Sequence, residues 1–133
     1  MATPVPPPPT PPQSGSSNLG IAPNLGGLLC YLPCCPLGLI FSIVVVLVEK
    51  QNRFMRFHAF QSLLFHAALV VLGVGFMILS VILGAIHLSL LLIPIQFLLG
   101  MALLVLDIFL MIKAYNNEQY ELPTLGAMAK GWV

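Results

Sequence analysis

Residues 25–48 run for 24 positions without a charged side chain, and residues 57–86 and 90–112 are also long and apolar, the last with one acid, Asp107. A helix rises about 1.5 Å per residue, so the first stretch reaches about 36 Å, enough for a hydrocarbon core about 30 Å thick. No water is available there, so each segment has to satisfy its own backbone donors and acceptors, as a helix does. Composition agrees: 59% of the 133 residues are hydrophobic and 7% are charged, where soluble domains carry about 25% charged residues. Five basic and four acidic side chains cannot cover a water-soluble fold of this size. The expected class is all-α, a polytopic membrane protein with three transmembrane helices in a small bundle.

Residues 1–24 form a Pro/Ser/Gly-rich tail, with Pro4, Pro6, Pro7, Pro8, Pro9, Pro11 and Pro12 ahead of Gln13 and Ser14. Such a segment is expected to be disordered, as a plain leader or as a ligand for a proline-binding groove. It lacks the basic start of a secretory signal. Pro33 and Pro36 interrupt the first span, which predicts a kinked or unwound stretch over residues 30–36. A charged connection, residues 49–56, follows, with Asn52 as N-cap of the second helix. That helix exceeds the bilayer thickness and should tilt. His87, Leu88 and Ser89 supply the next turn, and Lys113 closes the third span. Residues 116–133 are read as a polar tail with a short apolar end, loose or at the interface. With three spans, Lys50, Arg53, Arg56, Lys113 and Lys130 share one face, which the positive-inside rule assigns to the cytoplasm. The proline tail would then lie outside.

Ser42, Gln61, Ser62, His66, Ser80, Gln96 and Asp107 are polar groups inside these stretches. Gln61, His66 and Asp107 form the candidate intramembrane cluster. Asp107 sits about 9 Å inside the end of its helix, and Gln61 and His66 about 6 and 14 Å inside theirs. Such groups either hydrogen-bond helices together, for about 1 kcal/mol, or serve proton relays and substrate sites. His58 and His66 lack the convergent spacing of metal ligands, and Cys30, Cys34 and Cys35 read as buried apolar thiols. No nucleophile–base pair, metal cluster or cofactor motif is visible, so neither an enzyme nor a cofactor is expected. A net charge of +1 without a basic–aromatic stripe argues against nucleic acid. Small residues line one face of the second span (Gly73, Ser80, Gly84, with Met77 between) and pair in the first (Gly38, Ser42), for internal packing or self-association.

Two stretches carry a resemblance. Glu49-Lys-Gln-Asn-Arg-Phe-Met-Arg, followed by Phe57, His58, Ala59 and Gln61 after Arg56, resembles the loop-to-helix motif of a family of small bacterial membrane proteins of unknown function. Residues 112–126, a lysine-closed helix followed by Tyr120, Leu122 and Pro123, look like its C-terminal signature. The family is similar to the twenty-kilodalton component of the chloroplast inner-envelope (Tic) protein-import translocon. The resemblance implies a multi-pass protein of the bacterial inner membrane. Two functional classes follow: a structural or accessory subunit of a membrane complex, or a component of a transport or protein-translocation assembly. The expected partners are the lipid bilayer and either further copies of the chain or other membrane subunits.

Overall fold

The computed structural model describes residues 17–33 and 36–133. The proline-rich part of the tail, residues 1–16, and Cys34 and Cys35 lie outside them. Among the described residues every regular element is helical: α1 (Pro23–Cys30), α2 (Leu37–Val48), α3 (Arg53–Gly84), a 3-10 turn (Ser89–Leu91), α4 (Leu92–Tyr115) and α5 (Leu125–Gly131).

The prolines break the first apolar stretch where expected. Pro23 opens α1, a position where its missing N–H is not needed. The helix stops at Cys30 and resumes only after Pro36. The direction of the second piece is not the expected one. A methyl group on Gly27 would touch His58 and Ala114, each 3.2 Å away, and the Cys30 carbonyl accepts from Ser62 Oγ at 2.6 Å, so α1 runs inward along α3. Ser42 Oγ then lies 3.1 Å from Ser62 Oγ, and Glu49 accepts from the Asn52 N–H at 3.0 Å, so α2 runs back out. Ser17 Oγ and the Asn18 N–H donate to the Glu49 carboxylate at 2.9 and 2.7 Å, so the chain enters α1 beside the point where it leaves α2. The first stretch is a helical hairpin, where one continuous span was expected over residues 25–48. Residues 17–24, assigned to the disordered tail, belong to this fold.

Two helical stretches are long and apolar enough to cross a membrane, Arg53–Gly84 and Ser89–Tyr115, with 32 and 27 residues. The 12 residues of α2 reach only about 18 Å. Asn52 caps α3 as expected, its side chain accepting from the Met55 N–H at 3.0 Å. The expected turn closes the far end of α3. His87 takes a left-handed backbone, φ 59°, so that the N–H groups of His87 and Leu88 reach back to the Gly84 and Leu83 carbonyls.

Despite that short turn, α3 and α4 hardly touch. Instead α1 lies between their near ends and packs on both. Beyond it the two helices border an apolar cleft of about 350 Å³, lined by Leu69, Gly73, Phe76, Gln96, Gly100 and Leu103 among others. The C-terminal tail is docked rather than loose. α5 packs on α3, Trp132 meets Phe60 edge-on at 5.6 Å, and Arg53 donates to the Val133 carbonyl at 3.2 Å.

Glycines tell the two halves apart. A methyl group at Gly73 or Gly84 would meet nothing within 4 Å, so these small residues make no internal contact. At Gly38 it would lie 2.6 Å from the Leu32 carbonyl oxygen and 3.0 Å from that of Cys30, both fixed backbone atoms. Gly38→Ala should therefore lose about 2 kcal/mol through overpacking. Gly73→Ala should gain about 0.5–1 kcal/mol of helix propensity. Thermal unfolding in detergent should show the two midpoints moving in opposite directions; a common shift would contradict the hairpin geometry.

Candidate functional site

The first three turns of α3 are buried, unlike the rest of that helix, because α1, α2 and α5 converge on them. Phe57, His58, Ala59 and Gln61 are all 2% exposed or less, so the motif that carried the resemblance is the keystone of this end. Arg56, beside them, donates to the Glu49 and Val46 carbonyls at 2.8 and 3.5 Å. These belong to the last turn of α2, where carbonyls lack helical partners and the helix dipole favours a cation. Its guanidinium also lies 5.4 Å over the Phe60 ring.

Gln61 ties three segments together. Its amide nitrogen donates to the Tyr31 hydroxyl and the Tyr120 carbonyl, both at 3.0 Å, and its oxygen accepts from the Leu122 N–H at 3.2 Å. Tyr31 is fully buried in the break of the hairpin, and its hydroxyl also pairs with His58 Nδ1 at 3.3 Å. The His58 ring is held edge-on by Tyr31, Phe54 and Phe57. Its buried Nε2 has no hydrogen-bond partner among the described residues.

One turn further, Ser62 Oγ donates to the Cys30 carbonyl at 2.6 Å, while Ser42 Oγ lies 2.8 Å from the Gly38 carbonyl of its own helix and 3.2 Å from that of Cys30, sharing its one proton between them. His66 Nδ1 lies 2.8 Å from the Ser62 carbonyl, which only accepts, so Nδ1 carries the proton. Asp107 is 7% exposed and faces protein, as expected of an intramembrane carboxylate. Neither Gln61 nor His66 hydrogen-bonds it, and among the described residues its buried Oδ1 has no partner. The candidate cluster thus divides. Gln61 is used up by Tyr31 and the C-terminal segment, and His66 turns its Nδ1 to the Ser62 carbonyl. Ser80 and Gln96 meet weakly at 3.5 Å on an exposed face.

Tyr31 and Glu49 are the members that sequence reasoning missed. Glu49 is fully buried and accepts from the N–H groups of Asn52, Gln51 and Asn18 and from Ser17 Oγ. Burial works against its charge, yet the Asn52, Ser17, Gln51 and Asn18 donors outweigh it and hold the carboxyl below its usual range. The signal was its spacing from Asn52, an acid placed to bond the N–H of the next helix cap. No three His, Cys, Asp or Glu side chains converge as a metal site among the described residues.

The family described as the Magnetosome magnetite crystal formation protein family matches residues 17–129. A UPF0132 membrane protein of Methanocaldococcus jannaschii is 35% identical over 116 residues, covering 87% of this chain and 93% of the relative. A second from that organism is 36% identical over 112 residues, covering 84% and 71%. One from Archaeoglobus fulgidus is 36% identical over 108 residues, covering 80% and 91%. These relatives are archaeal where the resemblance implied bacterial ones, they are named as membrane proteins, and none of these descriptions names a translocon. No solved structure matches the chain.

Gln61→Leu keeps the bulk but strips partners from three buried groups, each worth about 1–3 kcal/mol when left unpaired. We expect a loss of about 3 kcal/mol and faster proteolysis at Lys113 and Lys130 as the C-terminal segment comes away. Unchanged cleavage would show that Gln61 does not hold that segment.

Proposed function

We propose that this chain, which belongs to the Magnetosome magnetite crystal formation protein family, is a non-enzymatic structural subunit of a membrane assembly. In this reading α3 and α4 cross the bilayer, and the α1–α2 hairpin enters and leaves it on one face. One observation carries it: Glu49, Gln61 and Ser62 at the buried end are spent on holding the chain together, while small residues on the long helices stand open. Gly73, Gly84 and Gly100 would meet nothing within 4 Å even with a methyl group added. Surfaces of that kind let a neighbouring helix approach closely in lipid. The family description supports an accessory role, since it names a process and not a reaction.

The hairpin puts the N-terminal segment on the same face as residues 49–56 and the C-terminal segment. All five basic residues lie there too, which the positive-inside rule places in the cytoplasm. A second reading, a transport or protein-translocation component, draws on the broken first segment and the buried Asp107. Three helical layers leave little enclosed space, so that reading needs further copies or partners.

Two experiments test the proposal. In a background with the native cysteines replaced by alanine, Thr10→Cys should label from the same side as Asn117→Cys. Labelling from opposite sides would restore three spans. Gly84→Ile should leave the unfolding midpoint of the isolated chain within about 1 kcal/mol, because surface changes away from packing cost little. It should nevertheless lower the native mass of the complex extracted in mild detergent; an unchanged mass would remove the assembly role from this face.

A further inference from the structure

Three of the five basic side chains, Lys50, Arg53 and Arg56, fall in residues 50–56, and no carboxylate forms an ion pair with them among the described residues. The four acids of the chain are engaged elsewhere. Glu118 pairs with Lys113 and Glu121 with Lys130. Glu49 is buried with its oxygens turned to donors of Ser17, Asn18, Gln51 and Asn52, and Asp107 is buried on α4. Arg53 and Arg56 each spend a nitrogen on backbone carbonyls, which accept a hydrogen bond without cancelling the charge. Lys50 is exposed.

The two arginines share a face with aromatic and apolar groups. Arg53, Arg56 and Phe60 follow i, i+3, i+7 along α3, and the docked C-terminal segment lies on them. Arg53 reaches the Val133 carbonyl at 3.2 Å, and the Phe60 ring meets Trp132 edge-on at 5.6 Å with the Arg56 guanidinium 5.4 Å from its centre. Trp132 keeps 51% of its surface open. Beyond Phe60 the face is apolar: Leu64, Ala67, Val71 and Val74 continue the helical spacing, and Val71 is 73% exposed.

We propose that this face holds an anionic phospholipid, its phosphate against Arg53 and Arg56 beside Trp132 and an acyl chain along the apolar stripe that follows Phe60. Guanidinium groups bind phosphate through paired, charge-assisted hydrogen bonds. Lys and Arg next to a membrane helix attract anionic headgroups, and Trp favours the membrane–water boundary. Cations at one end, an indole beside them and an open stripe running away from both match a molecule with a charged head and a hydrocarbon tail. A free phosphate would use the charges and leave Trp132 and the stripe uncovered. Lys113 and Lys130, neutralised by their acids, do not compete for the headgroup. The proposal rests on the reading that α3 crosses the bilayer with Arg53 at its surface.

Trp132 is the one tryptophan of the chain, so its fluorescence reports on this site alone. The whole protein is placed in phosphatidylcholine vesicles that carry equal fractions of phosphatidylglycerol or phosphatidylcholine with the same brominated acyl chains, since bromine quenches a nearby indole. Brominated phosphatidylglycerol should quench Trp132 more strongly at every fraction. Lys50→Gln, which changes charge without breaking a hydrogen bond, and Arg53→Gln should each lower that preference by up to about fivefold. Arg53→Lys should keep most of it. Equal quenching by the two lipids would overturn the proposal and leave the crossing of α3 standing. Quenching by neither, while aqueous iodide still quenches, would take this end off the bilayer and overturn both. Loss of the preference on adding inorganic phosphate at constant ionic strength would assign the site to a free anion and overturn the lipid.

Discussion

A helix that stops inside a packed apolar interior leaves carbonyls with no helical partner and no water to replace it. In this chain the break after Cys30 meets that constraint chiefly with the Ser62 hydroxyl, which donates to the Cys30 carbonyl, and Ser42 bridges the same carbonyl to that of Gly38. Much of the buried end follows from this contact. Ser62 has to be on the facing side of α3, which sets the rotation of that helix against α1. Ser42 has to be on the returning arm, which sets how sharply the hairpin turns. Gly38, one turn earlier on α2, has no Cβ because the Leu32 and Cys30 carbonyls already occupy that space.

Once the hairpin is seated, the remaining polar groups have little freedom. Tyr31, the first residue of the break, is carried into the interior with its hydroxyl, and Gln61 and His58 are the groups on α3 that meet it. Gln61 still has an amide hydrogen and an oxygen to place, and the chain after α4 supplies the Tyr120 carbonyl and the Leu122 N–H. That is why the last residues dock. Gly126 follows from the same crowding, since a methyl group there would lie 2.8 Å from Gln61 Oε1.

The parts legible in the sequence are those decided locally. Proline breaks the first stretch, Asn52 caps α3, a polar turn closes it at His87, and two long apolar runs make the crossing-length helices. Each depends on a few adjacent residues. The reversal of the hairpin depends instead on contacts across 20 or more positions, such as Ser42 to Ser62 and Ser17 to Glu49. Charge could not reveal it, because an uncharged N-terminal segment satisfies the positive-inside rule on either face. The same limit explains the candidate cluster. Depth along an ideal helix places Gln61 and Asp107 at similar levels, but depth says nothing of rotation, and α1 takes the space between their helices. A small-residue pattern is equally silent on whether it faces inward, as Gly38 does, or outward, as Gly73 and Gly84 do.

The wedge formed by α1 also accounts for the contrast between the two halves of the molecule. Two helices joined by a short turn would ordinarily close on each other along their length, but here their near ends are held apart by an eight-residue helix and their far ends are tied by His87. The separation fades only beyond the tip of the hairpin, and the cleft is the region between the wedge and the turn. A closed, polar-bonded end and an open, apolar one thus both follow from inserting a hairpin between two long helices at one end only.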